Sequence, residues 1–444
     1  MTTLTCQLAR FIGGLSYAQL PPEVTSKAKT FILHGIGAGL AGYSSNTVKE
    51  AIRLVKKLGV FTKGATLLVD GDKVPLTEAA FANAILLHSR AQEDDFHRGM
   101  MHIGVVTIPA ALALAEMAKK SGRDLIVGIV AGYEVAARLT KDHARFSIAR
   151  GFRTTPLYGP LAAAAAASRI LNLNERQTIH ALGLAANCGA GLLQCGVAHT
   201  LNELAIQGGF ASCNGLRCAL LGQMGAVACD SILEGERGFY QAFTGTGEGL
   251  GRIVEDLGRK WEMMDTFFKR YPVGGLNQTP VHVALSLVKE KNLMADEIQH
   301  ITVNLNPKDA LYPGANSLKP GALSVQFCVA TAIVNGAVTF DSVWQNDNPK
   351  VLDLMPRITV EADEGLEPLS CDLSVLLKDG GVLRQVMRVD PLSYCLSLKE
   401  DAELIASIIP EMAVPEKKAR KAIDIMIELE KLDNLSALIE NLVA

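Results

Sequence analysis

The stretch Arg90-Ala-Gln-Glu-Asp-Asp-Phe-His-Arg-Gly-Met-Met-His102, running on into Ile103-Gly-Val-Val-Thr-Ile-Pro109, stands between two long Ala/Leu-rich segments. Two adjacent carboxylates (Asp94, Asp95), two histidines (His97, His102) and Arg98 are concentrated there, in a more apolar setting than any other charged cluster of the chain. A polar knot between helices that must be mostly buried either satisfies itself internally or faces a cavity that takes a charged small molecule. The plain alternative is a hydrogen-bonded loop capped by aspartates.

The segments on either side predict helices. Apolar residues recur at helical spacing over Leu4–Leu20, Pro22–Tyr43, Val48–Leu58 and Thr77–Arg90, with a short hairpin around Asp70-Gly71. Pro109 is expected in the first turn of the next helix, and Asp124–Leu139 follows from an acidic cap. Gly151-Phe-Arg-Thr-Thr-Pro-Leu-Tyr-Gly-Pro160 reads as a loop offering Arg153, Thr154, Thr155 and Tyr158. Leu161-Ala-Ala-Ala-Ala-Ala-Ala167 follows, a helix so small on most faces that it belongs in the packed middle of a bundle. Helices are also expected at Asn174–Ala186 and Phe210–Gln223, with Gly208-Gly209 as punctuation, and glycine-rich Thr244–Gly251 reads as a linker. His34, on a Gly/Ala-rich helix face, is expected to be a satisfied core residue, and Arg138 to pair with Glu134 four residues earlier.

From about Thr266 to Leu392 the pattern changes. Period-two runs at Gln299–Leu305, Arg357–Ala362, Cys371–Lys378 and Val382–Val389 mix with helices at Thr279–Lys291 and Ala322–Asn335. The tail from Leu396 is helical again and is expected to rejoin the first helices. The chain therefore divides into a helical domain, residues 1–265 with 396–444, and an α+β domain, residues 266–395.

The 444 residues are 49% hydrophobic and only 5% aromatic, which favours an aliphatic core of closely packed helices. A net charge of −3 without a basic, aromatic-interleaved cluster argues against a nucleic-acid partner. Nine cysteines without a C-x-x-C pair read as reduced thiols, and the opening Met-Thr-Thr-Leu-Thr-Cys-Gln lacks signal-peptide character, so a cytoplasmic protein with no membrane span is expected.

Phe81-Ala-Asn-Ala84, the Asp94-Asp95/His102 loop, Ile108–Glu116, Gly132–Arg138, Gly151–Ala167, Ile232–Phe243 and Phe268-Lys-Arg-Tyr-Pro272 together resemble, in order and spacing, the MmgE/PrpD family. The resemblance covers nearly the whole chain. It implies a mainly α fold with a large all-helical domain and a smaller α+β lid, a homodimer, and chemistry on small polycarboxylates without cofactor or metal. Members include 2-methylcitrate dehydratase, cis-aconitate decarboxylase and iminodisuccinate epimerase. Asp94, Asp95, His102 and Lys269 fall where relatives carry acidic, His and Lys site residues, whereas Phe96, Arg153, Leu204 and Phe327 stand where Thr, His, Lys and Tyr are common.

Chemistry beside a carboxylate needs a base within reach of the proton and cations to hold the developing charge. His102 is the candidate base, with Asp94 or Asp95 fixing its tautomer and raising its pKa, and Lys269 the third catalytic candidate, as a proton donor or carboxylate ligand. Asp95, His97, Arg153, Tyr158 and Arg270 are candidate substrate-binding residues. Each has a plainer role: His97 at a helix cap or the surface, Tyr158 in the core, Lys269-Arg270 as a solvated pair. The reading is a lyase of the 2-methylcitrate dehydratase type. The alternatives are a dicarboxylate epimerase, a decarboxylase, or a binding protein with altered chemistry.

Overall fold

A computed structural model of the chain describes residues 2–198, 200–345, 347–390 and 393–444. Helices α1 (Leu4–Gly14), α2 (Pro22–Leu40) and α3 (Asn46–Leu58) precede the short hairpin β1 (Ala65–Thr66) and β2 (Lys73–Val74). Then come α4 (Leu76–His88), β3 (Asp94–Asp95), α5 (Gly104–Met117), α6 (Gly122–Thr140), α7 (Ala144–Ala149), α8 (Thr154–Ile170), α9 (Glu175–Ala186), α10 (Gln194–Ala198), α11 (Leu201–Gln223) and α12 (Phe239–Thr244). After β4 (Phe267–Phe268) the mixed part holds α13 (Gln278–Lys291), β5 (Ile298–Leu305), α14 (Pro307–Ala310), α15 (Val325–Asn335), α16 (Phe340–Trp344), α17 (Pro349–Leu354), β6 (Ile358–Ala362), β7 (Cys371–Leu377) and β8 (Val382–Met387). Helices α18 (Leu398–Ser407), α19 (Glu416–Ile427) and α20 (Ser436–Glu440) close the chain. The protein is thus mainly α with a smaller α+β part, and Leu392, the expected end of the mixed segment, lies outside the described residues.

Packing follows from side-chain size. Ala162 to Ala167 are fully buried, and α8 packs between α6 and α11. A β-carbon on Gly215 of α11 would come within 2.3 Å of the Pro160 carbonyl oxygen, so glycine there lets α11 lie on the α8 backbone. Gly208-Gly209 do not punctuate: they lie inside α11, where a β-carbon on Gly209 would meet Ile85 and Phe81 of α4 at 2.9 Å. Close helix contact, not chain reversal, accounts for that glycine.

Two proline readings are corrected in the same way. Helix α8 begins at Thr154, so the expected loop is its first turns and Pro160 is internal. Likewise α5 begins at Gly104, which places Pro109 inside the helix instead of at its start. The amide that Pro160 lacks would have bonded the Pro156 carbonyl, and Ala190 N–H donates to that oxygen instead at 3.4 Å.

The mixed part is built on one four-stranded sheet in the order β6-β5-β7-β8, parallel between β5 and β6 and antiparallel elsewhere. Ile301, Val303, Leu373 and Val375 point with α13 and α15 into a core of their own. The main core collects apolar residues from Leu4 to Phe268 and again from Leu396 to Leu442, so the tail does rejoin the first helices, with α18 and α19 on α2. No helix among the described residues is long and apolar enough to cross a membrane.

Arg138 and Glu134 form the expected ion pair, at 2.6 Å and fully buried. The guanidinium also donates to the carbonyls of Ile253, Glu255, Asp256 and Lys260. The glycine-rich stretch read as a linker therefore runs directly into a segment pinned to α6. Arg138→Met removes the counter-ion of a buried carboxylate, which keeps only the N–H groups of Glu262 and Met263, and takes the guanidinium from four carbonyls, and denaturant unfolding is expected to show a loss of roughly 3–5 kcal/mol.

Candidate active site

Two short strands assemble the site. β3 pairs antiparallel with β4, Asp94 opposite Phe268 and Asp95 opposite Phe267. Continuing that register by one residue sets Glu93 opposite Lys269, and Lys269 Nζ donates to Glu93 Oε1 at 2.8 Å with both side chains 1% exposed. The next step sets Gln92 against Arg270, whose carbonyl accepts from Gln92 Nε2 at 2.9 Å.

Glu93 is the hub. Its Oε1 also lies 3.2 Å from His88 Nδ1 and 3.6 Å from His102 Nε2. Burial alone would raise the Glu93 pKa, but the Lys269 charge, helped by the N–H of His88, holds it well below the usual carboxylate range. Arg153 Nη2 stands 2.6 Å from His88 Nε2. A guanidinium can only donate, so His88 Nε2 accepts and its proton sits on Nδ1, toward Glu93. Neither His88 nor Glu93 was among the candidates read from the sequence.

His102 is anchored by backbone. Its Nδ1 donates to the Asp94 carbonyl at 3.1 Å, and its N–H donates to Thr155 Oγ1, also at 3.1 Å. The carbonyl can only accept, which leaves Nε2 unprotonated in the neutral ring. The expected carboxylate partner is thus replaced by a peptide oxygen; the nearest Asp95 oxygen is 4.0 Å away. The expected rise in pKa is reversed too: burial and then the Lys269 charge push His102 well below the usual histidine range.

Strand alternation sends the paired aspartates to opposite sides. Asp94 turns into the helical core, accepting from Gly104 N–H at 3.3 Å and lying against Tyr133, and burial raises its pKa to about 7. Asp95 turns to a cleft, and burial raises its pKa to about 6 against the opposing charge of Lys269. That cleft encloses about 520 Å³ of space including its open mouth, and its wall includes Asp95, His97, Met100, His102, Asn277 and Tyr312. Asn277 donates from Nδ2 to the Ala322 carbonyl at 2.8 Å, while its buried Oδ1 has no hydrogen-bond partner. Tyr312 was also missed from the sequence; its phenol lies within electrostatic reach of both Asp95 and Arg153.

The other candidates are dispersed. Lys269 and Arg153 stand behind the cleft wall, and Arg153 also binds the Leu204 carbonyl at 3.0 Å, so it is not an open carboxylate clamp. His97 lines the cleft and also a second, more apolar cavity shared with Phe267, Leu369 and Tyr394. Tyr158 is buried in an aromatic cluster with Phe239 and Tyr240, away from the cleft, because α8 is core from its first turn. Arg270 points outward and is exposed, since alternation that buries Lys269 turns its neighbour out. His34 is the satisfied core residue expected, held by Asp401 Oδ1 and the Gln92 carbonyl, each at 2.6 Å. Among the described residues no group of three or more His, Cys, Asp or Glu is arranged to hold a metal ion.

Because the native state raises the Asp94 pKa to about 7, its contribution to stability is complete below the unfolded value and is lost as pH rises toward neutrality. Relative to Asp94→Asn, the wild type is expected to lose up to about 4 kcal/mol between pH of about 4 and about 8 in denaturant unfolding.

The MmgE/PrpD N-terminal domain pattern matches residues 6–248 and the C-terminal domain pattern residues 271–406. Human cis-aconitate decarboxylase is 27% identical over 400 residues, covering 86% of this chain and 82% of the relative. The enzyme of the same name from Aspergillus terreus is 24% identical over 480 residues, covering 98% and 95%, and that of Mus musculus 26% over 403 residues, covering 86% and 81%. With both family patterns matched across its length, the chain belongs to the MmgE/PrpD family.

Proposed function

We propose that the protein is a lyase acting on a small hydroxy-polycarboxylate, a dehydratase of the 2-methylcitrate type. Membership of a family whose matched relatives are decarboxylases supports the lyase class. The observation that carries dehydration is the pairing of a neutral imidazole and a protonatable carboxyl on one cleft wall, His102 Nδ1 and Asp95 Oδ2 4.0 Å apart. His102 Nε2 takes the proton from the carbon next to a substrate carboxylate. The C–H electrons become the C=C bond, the C–O bond breaks, and the hydroxyl leaves as water with the proton of Asp95. Asn277 Oδ1, an acceptor in need of a donor, matches the substrate hydroxyl. Lys269 and Arg153 stand behind the wall, and their charges favour a carboxylate in the cleft.

Epimerisation by two bases calls for groups on opposite faces of one carbon, and His102 and Asp95 share a wall. Decarboxylation is the second reading, favoured by the names of the relatives. We further take the working protein to be a cytoplasmic homodimer.

Purified protein incubated with 2-methylcitrate, citrate or cis-aconitate is expected to form an unsaturated acid from a hydroxy acid, read by its ultraviolet absorbance. Release of CO2 from cis-aconitate without that product supports the second reading, and no reaction with any of the three overturns the lyase. His102→Gln is expected to lower kcat by roughly 10²–10⁴-fold with an unchanged circular dichroism spectrum. Asp95→Asn is expected to lower kcat for the hydroxy acid while leaving KM within a few fold.

A further inference from the structure

Outside the cleft two thiols meet. Cys188 lies just past the end of α9 and is half-buried, and its Sγ stands 3.7 Å from Sγ of Cys218, buried on α11 and thirty residues away in sequence. Arg217, next in chain to Cys218, brings its guanidinium to the same cluster, with Nη1 3.7 Å from Cys213 Sγ. A disulfide needs sulfurs about 2.05 Å apart. Less than about 2 Å must be closed, and Cys188 sits beyond the end of α9, in the closing turn where its N–H donates to the Ala185 carbonyl.

We propose that Cys188 and Cys218 form a reversible oxidation site at which a hydroperoxide joins them as a disulfide. The Cys188 thiolate attacks one peroxide oxygen, the O–O bond breaks, and Cys188 becomes a sulfenic acid as water or an alcohol leaves. The Cys218 sulfur then attacks the Cys188 sulfur, the S–O bond breaks, and hydroxide departs as water with the proton of Cys218. Two thiols are oxidised and one peroxide is reduced, two electrons in each case. A dithiol reverses the step by exchange. The order of attack follows from exposure: Cys188 is half-buried and within reach of a peroxide whereas Cys218 is buried, and the Cys218 hydrogen bond, aided by Arg217, lowers the Cys188 thiol.

The crosslink would bear on the site without touching it. The segment after Cys188 supplies the Gly191 carbonyl to Arg153 N–H, and α11 supplies the Leu204 carbonyl to the Arg153 guanidinium. A disulfide ties together two of the elements that hold Arg153. Cys229, the exposed cysteine, is the competing target.

The full chain is treated with graded hydrogen peroxide, alkylated, digested and mapped by mass spectrometry, a readout independent of any catalytic activity. The expected result is a Cys188–Cys218 linked peptide, short of two hydrogens and lost on reduction, that appears before Cys229 is modified. Cys218→Ser is expected to abolish the link and accumulate Cys188 sulfenic acid trapped by dimedone, and Cys188→Ser to abolish both. Oxidation of Cys229 alone, or a link from Cys188 to Cys213 in the wild type, would overturn the proposal.

Discussion

The ion pair between Lys269 and Glu93 is the constraint on which the rest of the site depends. Both side chains are 1% exposed and 2.8 Å apart. An ammonium and a carboxylate withdrawn from water cost several kcal/mol each unless they meet with good geometry, and removing one partner of such a pair typically costs roughly 3–5 kcal/mol. Pairing of β3 with β4 makes the contact by register alone. Through it the strand leading into the mixed part is fastened to the loop between α4 and α5.

Everything chemical about the cleft follows from that fastening. The Lys269 charge and burial keep His102 neutral, and the same charge opposes the burial that lifts Asp95. The Asp94 carbonyl selects the His102 tautomer while the Asp94 carboxyl faces the other way, toward Tyr133 and Gly104. One dipeptide thus serves two environments: its first side chain belongs to the helical core and its second to the cleft. Behind the wall, His88 relays between Arg153 and Glu93, so the two cations stay apart with an imidazole and a carboxylate between them.

Much of the architecture was legible in the residues. Small and aliphatic side chains at helical spacing marked the bundle, period-two runs marked the sheet, and the Arg138–Glu134 spacing marked a real pair. Helix starts were harder to read: Thr154 and Leu201 begin their helices well before the expected points, because prolines in the first turns and a glycine packed on Phe81 imitate loop punctuation. Of the site candidates named from the sequence, His102, Asp95 and Lys269 lie close together around Glu93 and the cleft. Glu93 was passed over because two-residue strands leave no periodic trace, and the register that sets it against Lys269 exists only once the chain has folded; His88 was passed over because it closes the apolar helix α4. The same alternation explains why Arg270 turned out to be exposed, and burial of α8 from its first turn explains Tyr158.

The most direct test is a crystal structure of the protein with a tricarboxylate such as citrate. The account requires the ligand in the cleft between the Asp95–His102 wall and Asn277–Tyr312, with a C–H bond next to a carboxylate within reach of His102 Nε2 and Lys269 still paired to Glu93. A ligand seated instead in the apolar cavity beside Leu369 and Tyr394, or a His102 ring turned away from it, would contradict the account.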